Sequence, residues 1–448
     1  MLTAADNQLL TRTGPDTPMG QYFRRFWLPV ALSRELPEPD GAPLRVNIMG
    51  EQLVAFRNTD GVVGLVESRC PHRGADLYFG RNENCAIRCV FHGWQFDVRG
   101  RAVDLPNVPP GGPYHETMRI KAYPTREYGD MVWAYLGPDP WERELPGLPE
   151  LDFGTVPASH RYVTKKLQEC NWAQSLEGGL DTSHFSFLHM PAPCVESNAN
   201  PDAPADEKRL RWIRNDPLPT FSILDHEVGF VVGGARRADG SMRYWRSAQF
   251  ALPSHCTTPA TLPGETYFGY TWVPVDDENC WIYTYAWNPD RPISDEERAK
   301  FRAGHGVIAE VDEHYFPVRN RANEYLIDRR NQKHVTYTGV RGVAEQDAMI
   351  QDSQGRIADR TREHLSATDV AVVRFRRVIL AGAKALAEGK EPQEPLRPHA
   401  YRLRSGSALA PDGTPFEAVM AERFGDPRGR VAERAAAGEG GQESGIGS

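Results

Sequence analysis

The residues Cys70-Pro71-His72 and, after sixteen intervening residues, Cys89-Val90-Phe91-His92, followed at once by Gly93-Trp94, constrain this chain more than any other stretch. Each pair mixes one thiol with one imidazole. A structural zinc site instead opens with two closely spaced cysteines and keeps its histidines together. Two thiolates and two imidazoles are the donor set of a [2Fe–2S] centre with cysteines on one iron and histidines on the other. Exchanging two thiolates for neutral imidazoles raises the reduction potential. Cys70, His72, Cys89 and His92 are therefore read as cluster ligands, and the chemistry starts from one-electron transfer.

The remaining composition narrows the setting. A chain of 448 residues has length for two or three domains, and its net charge of −8 argues against nucleic acid or an anionic membrane as partner. Seven cysteines, two already assigned to iron, do not make a secreted disulfide framework, so a reducing cytoplasm is expected. Residues 1–8 lack a basic and apolar leader, and no run approaches the length of a membrane span.

Periodicity divides the chain into a helical segment over 1–42, strand-like runs and hairpin turns over 43–140, a larger unit over 141–424 and a disordered tail over 425–448. Asn58-Thr59-Asp60-Gly61 and Asp97-Val98-Arg99-Gly100 mark turns, and prolines at 138, 140, 146, 149 and 157 mark the boundary. In the larger unit, 167–190 reads as one helix, with further helix over 294–313 and 358–387. Strand-like runs lie near 211–214, 229–233, 244–252, 267–273 and 281–287.

A second constellation follows: Glu177-x₃-Asp181-x₂-His184-x₄-His189. On a regular helix Glu177, Asp181 and His184 share a face, whereas His189 lies well round from His184. Both imidazoles meet one metal only if the helix distorts or ends between them, and Pro191 favours an ending. A one-electron centre upstream needs an acceptor, and two imidazoles with one carboxylate form the open-sided site of non-haem Fe(II) oxygenases. Glu345, Asp347 and Asp352, in a helix starting after Tyr337-Thr338-Gly339-Val340, each qualify on spacing as the carboxylate. Asp181, one turn before His184, is placed to accept a hydrogen bond from that ring's non-metal nitrogen. No G-x-G-x-x-G or P-loop occurs, so electrons are expected from another protein.

Taken with Asn7–Arg12, Trp27-Leu28-Pro29, Cys70-Pro71-His72-Arg73-Gly74, Glu177–His184, Gln346-Asp347 and Asp359–Leu365, most of the chain resembles the large subunit of Rieske non-haem iron aromatic-ring-hydroxylating oxygenases. Within them it is similar to the phthalate 4,5-dioxygenase type, which includes aryl-ether O-demethylases. The resemblance implies an α+β fold, with an all-β Rieske [2Fe–2S] domain and a catalytic domain whose antiparallel sheet is flanked by helices. It implies that His184, His189 and Asp347 hold mononuclear Fe(II), and that Asp181 links His184 to the partner subunit's His92 in a trimer or stacked trimers. A reductase carrying FMN and a ferredoxin domain would bring electrons from NADH. One departure is Gly178, where many ring-hydroxylating members have Asn.

An aromatic carboxylate is the expected substrate, oxidised with O₂. Of many arginines, Arg211 and Arg246 are favoured as its contacts, since each sits in a strand-like run and a guanidinium grips a carboxylate with two bonds. Oxidative O-demethylation of a methoxylated aromatic acid and a non-catalytic electron carrier are the rival readings.

Overall fold

Hydrogen-bonding of the apolar runs organises the described residues into four antiparallel sheets. In the computed structural model, which describes residues 1–112, 114–192, 205–259 and 264–432, three of these sheets lie in the N-terminal third. Leu44–Ile48, Glu51–Arg57, Val63–Glu67 and Ala122–Tyr123 form one, and the short strands Arg81–Glu83, Ala86–Arg88, Gln95–Asp97 and Ala102–Asp104 form another. Trp27–Leu32, Met131–Tyr135 and Thr125–Tyr128 make the third. Val54, Phe56, Val66, Ile87, Trp94 and Phe96 form a separate apolar cluster beneath the two Cys–His loops. Burying these side chains on one face leaves the loop tips outward.

The C-terminal part is built on an eight-stranded antiparallel sheet. Its strands run in the order Arg161–Gln168, Cys280–Trp287, Tyr267–Pro274, His255–Thr258, Met242–Ala251, Gly229–Arg237 and Thr220–His226, with Ser407–Pro411 also paired to Met242–Ala251. The helices Trp172–Leu180, Val343–Ser353 and Val370–Ala387 pack nearby. Trp172, Ala173 and Leu176 are buried in the main core with Phe23 and Phe375, and Ser175 Oγ accepts a hydrogen bond from Trp272 Nε1 at 2.8 Å. The α+β fold, with its all-β N-terminal cluster-loop region and helix-flanked antiparallel sheet, is the expected one. Among the described residues no helix is long and apolar enough to cross a membrane.

Several element expectations need correction. Residues 167–190 are not one helix. Leu167 and Gln168 complete a strand paired to Trp281 and Cys280, and Asn171 then caps a helix that ends at Leu180. Asp181 stops it by accepting from the backbone N–H and hydroxyl of Ser183, both at 2.6 Å, a local bond that competes with helix. Residues 211–214 are helical, within Ala205–Asn215, because Trp212 and Ile213 go inward together to meet Tyr244. The 294–313 helix ends at Arg302, ahead of positive φ at Gly304 (72°) and Gly306 (70°). The last long helix starts only at Val370, after Ser366 and Asp369 form a capping box. The chain does not loosen at 425. Arg404 N–H bonds to Gly429 O, Val431 N–H to Arg402 O, and Gly429 is buried. Residues 433–448 of that tail, most of the polar loop over 191–208, and Cys194 lie outside the described residues.

Candidate metal centres

The two Cys–His loops have matching backbones. Cys70 N–H donates to Ala75 O while Gly74 N–H returns to Cys70 O, and Cys89 N–H donates to Trp94 O while Gly93 N–H returns to Cys89 O. Both turns close through a glycine at positive φ, 72° at Gly74 and 79° at Gly93, a conformation a side chain would strain. Cys70 and Cys89 are buried, and the His72 and His92 rings meet edge-on with centroids 4.4 Å apart. His72 also stacks on Trp94 at 4.6 Å. Both Nδ1 atoms are buried without a hydrogen-bond partner among the described residues. Burial, then Cys89 alongside, pushes the Cys70 thiol up to about 11, against the bonds it accepts from backbone N–H groups. Such a thiol becomes a thiolate at neutral pH only on a metal. Two buried thiols facing two orphaned ring nitrogens fit a [2Fe–2S] cluster of mixed ligation.

The second group gathers at the end of the Trp172–Leu180 helix. After Asp181, a short 3₁₀ turn over His184–Ser186 reverses the chain so that His184 and His189 face each other. Their Nε2 atoms stand 3.1 Å apart. Asp347, from the Val343–Ser353 helix, brings Oδ1 to 3.3 Å from His189 Nε2 and 3.7 Å from His184 Nε2. Among the described residues, these three form a compact metal-ligating group, their donor atoms all within 4.8 Å of one another. Two ring nitrogens pointed at each other beside a carboxylate fit a cation between them, and the set is that of non-haem Fe(II). Glu345 and Asp352 are elsewhere: Glu345 accepts from Glu310 N–H, and Asp352 accepts from the Tyr325 hydroxyl.

Each imidazole is held from behind. His184 Nδ1 lies 3.3 Å from Asp181 Oδ2. His189 Nδ1 lies 2.7 Å from Gln346 Oε1, and Gln346 Nε2 donates to Val340 O at 2.9 Å. These bonds place the ring protons on Nδ1 and leave the Nε2 lone pairs for a metal. Burial alone would raise the Asp181 carboxyl, but His184 and Ser183 hold it below the ordinary range. Asp347 is likewise held below that range by His189, His184 and Lys166 against its burial. Gln346 carried no role in the sequence reading; its neighbour Asp347 was the only signal. Glu177 lines the same cleft as Asp181 and His184 but is not a free acid there. Its carboxylate is clamped by Arg360 Nε at 3.1 Å and Arg376 Nε at 2.8 Å, since two buried guanidiniums need a counter-charge.

A cavity of about 520 Å³ reaches His184 and Asp347 and is walled by Phe185, Phe268, Tyr270, Trp272, Ile282 and Phe301. Arg246 lines it, 8 % exposed, with its guanidinium 4.3 Å from the Phe185 ring centroid. Arg211 does not line it. Its helix turns it outward to bond Asp239 at 2.7 Å, and the strand-like alternation of that run was misleading.

Comparison with known proteins agrees with this anatomy. Residues 26–124 match the Rieske [2Fe-2S] domain and residues 134–424 the family described as LigXa C-terminal domain like. The chain is 39% identical over 404 residues to the phthalate 4,5-dioxygenase oxygenase subunit of Pseudomonas putida, covering 87% of this chain and 88% of that one. It is 33% identical over 438 residues to the 3-chlorobenzoate-3,4-dioxygenase oxygenase subunit of Comamonas testosteroni, covering 95% and 99%. To the 5,5'-dehydrodivanillate O-demethylase oxygenase subunit of Sphingobium sp. it is 29% identical over 405 residues, covering 89% and 84%. Dicamba monooxygenase bound to 3,6-dichlorosalicylic acid shares the fold, with TM-score 0.57 at 18% identity over 82% of this chain and 98% of that one. The chain belongs to the Rieske non-haem iron oxygenases, as a large subunit of the phthalate 4,5-dioxygenase type, an enzyme component whose cofactors are a [2Fe–2S] cluster and a mononuclear iron.

Proposed function

We propose that this chain is a terminal oxygenase that cis-dihydroxylates an aromatic carboxylate. Cys70, His72, Cys89 and His92 hold the cluster, and His184, His189 and Asp347 hold the iron. Residues 43–140 then carry the cluster and 141–424 the mononuclear iron; the expected helical segment 1–42 is α-helical only over Ala4–Thr11 and Pro18–Phe23, because the apolar run Trp27–Leu32 pairs as a strand with Met131–Tyr135. The observation that carries the substrate class is Arg246. It is more than nine-tenths buried beside the metal triad, and among the described residues it has no hydrogen-bond or ion-pair partner. A buried charge without a counter-ion is costly, and an entering carboxylate relieves it with two charge-assisted bonds.

When bound, the cluster supplies electrons singly and the iron binds and activates O₂. The chain's own residues do the rest. Asp181 and Gln346 fix the two imidazoles, Arg246 anchors the acid, and the aromatic walls keep the ring oriented and dry. Two electrons and two protons complete the diol with one O₂. The electrons come from NADH through a reductase with FMN and a ferredoxin domain. Asp181 faces a cleft on the far side of the triad from the substrate cavity. That placement supports a relay from the partner subunit's His92 to Asp181 and His184 within a trimer or stacked trimers.

The test is a panel of aromatic acids and methoxylated aromatics, incubated with NADH and a phthalate-type reductase and read by product mass. A gain of two oxygens and two hydrogens on an acid supports the proposal. Loss of one methylene from a methoxy acid would establish O-demethylation instead.

A further inference from the structure

Four residues line both the substrate cavity and the polar cleft of about 650 Å³ behind it: Gly178, His184, Asp347 and Gln351. His184 and Asp347 therefore stand in a wall between an apolar space and a charged one that carries Asp181, Arg362 and Glu363. Gln351 lies one helical turn after Asp347 and is 8 % exposed. Its Oε1 accepts from Gln168 Nε2 at 2.7 Å, while its own Nε2 has no hydrogen-bond partner among the described residues. A Cβ on Gly178 would overlap that Nε2 atom. Gly178 sits inside a helix at ordinary φ, where glycine costs about 1 kcal/mol relative to alanine. Backbone freedom does not explain it; the space taken by Gln351 does.

We propose that Gln351 is a positioning residue that seals this wall, filling the gap beside Gly178 and keeping cleft water out of the substrate cavity. The inference rests on the reading of His184, His189 and Asp347 as the iron site. A wet cavity favours a side reaction, in which O₂ takes two electrons from the reductase and two protons from water and leaves as hydrogen peroxide while the substrate stays unoxidised.

The test uses the full chain in two forms. With Co(II) in the mononuclear site and benzoate present, relaxation of bulk water protons reports water at the metal. With iron and reductase, peroxide formed per O₂ consumed reports leakage. Gln351→Ala should raise both severalfold, and Gly178→Ala should do the same by displacing the amide. Gln351→Met, similar in length, should stay near wild type, and the effects of Gly178→Ala and Gln351→Ala should not add in the double variant. Full cobalt loading with unchanged relaxation and peroxide in Gln351→Ala overturns this inference alone, as does a Met variant that leaks like Ala. Cobalt absent from the wild type, or retained after His184→Ala, overturns the triad reading and this inference with it.

Discussion

Replacing Gln346 by leucine removes one acceptor and one donor without changing the metal-ligand set. His189 Nδ1 loses a 2.7 Å contact and Val340 O loses a 2.9 Å bond, both at a side chain 7 % exposed. Freed from that acceptor, the His189 ring can rotate or carry its proton on Nε2, the nitrogen that faces Asp347. Loss of such an outer partner weakens metal binding about 10–100-fold, which is about 1.4–2.7 kcal/mol at about 1.4 kcal/mol per decade. Val340 O keeps only the 3.4 Å bond from the Thr338 hydroxyl, so losing the shorter one adds about 0.5–1.5 kcal/mol of lost stability. Gln346→Glu keeps an acceptor on His189 and should hold iron at least as well as wild type. Anaerobic competition for Fe(II) against a chelator measures the affinity, while the cluster's visible spectrum checks that the N-terminal loops are intact. A Gln346→Leu protein that is folded, cluster-loaded and within about twofold of wild-type affinity, a difference of only about 0.4 kcal/mol, would refute the argument that this amide sets the His189 tautomer.

Other consequences follow from the same contacts. Arg246→Ala should lower kcat/KM for aromatic acids about 10–100-fold, the worth of a charged hydrogen bond, whereas Arg211→Ala, which breaks only an exposed pair with Asp239, should leave it unchanged in steady-state assays. Asp181→Asn should slow single-turnover electron transfer from cluster to iron with both metals loaded; unchanged transfer ends the relay claim. Cys89→Ser should remove the cluster yet leave the mononuclear metal bound, because cluster loops and triad rest on separate elements and separate apolar clusters; metal analysis should fall from about three irons per chain to about one. Glu177→Gln should cost about 3 kcal/mol at neutral pH, the low end for breaking a buried pair, by stranding Arg360, while Arg376 keeps its two bonds to Glu363. Burial opposes ionisation of Glu177, but the two guanidiniums hold its carboxyl below the ordinary value. Its contribution is therefore present above the unfolded glutamate range, near pH 4, and lost as pH falls through the lower folded value. The urea midpoints of wild type and variant should converge on acidification.

The cluster ligands were legible because they come from two short loops, each of which carries its own Cys, His and glycine at fixed spacing. Local backbone geometry there follows from local sequence, and the antiparallel strands around the loops announce themselves by alternation and turn residues. His184, His189 and Asp181 were legible as chemistry but not as geometry. Helical spacing rightly grouped Glu177 with Asp181 and His184 along one cleft, but it could not show that Arg360 and Arg376 clamp Glu177 or that the bonds of Asp181 to Ser183 end the helix before His189. Asp347 could not be told from Glu345 or Asp352 by spacing, since its partners lie more than 150 residues away in the chain; only packing of the Val343–Ser353 helix selects it. Gln346, Gln351 and the pairing of Gly178 with Gln351 were invisible for the same reason. Arg211 and Arg246 looked equivalent as residues in alternating runs, and the tertiary structure separated them by placing one on an outward helix face and the other inside the cavity. The chain by itself determined which metals it can hold, because ligand chemistry is a property of residue type and near spacing. Tertiary structure decided which carboxylate completes the iron site and which cation meets the substrate, because those are distances between elements far apart in sequence.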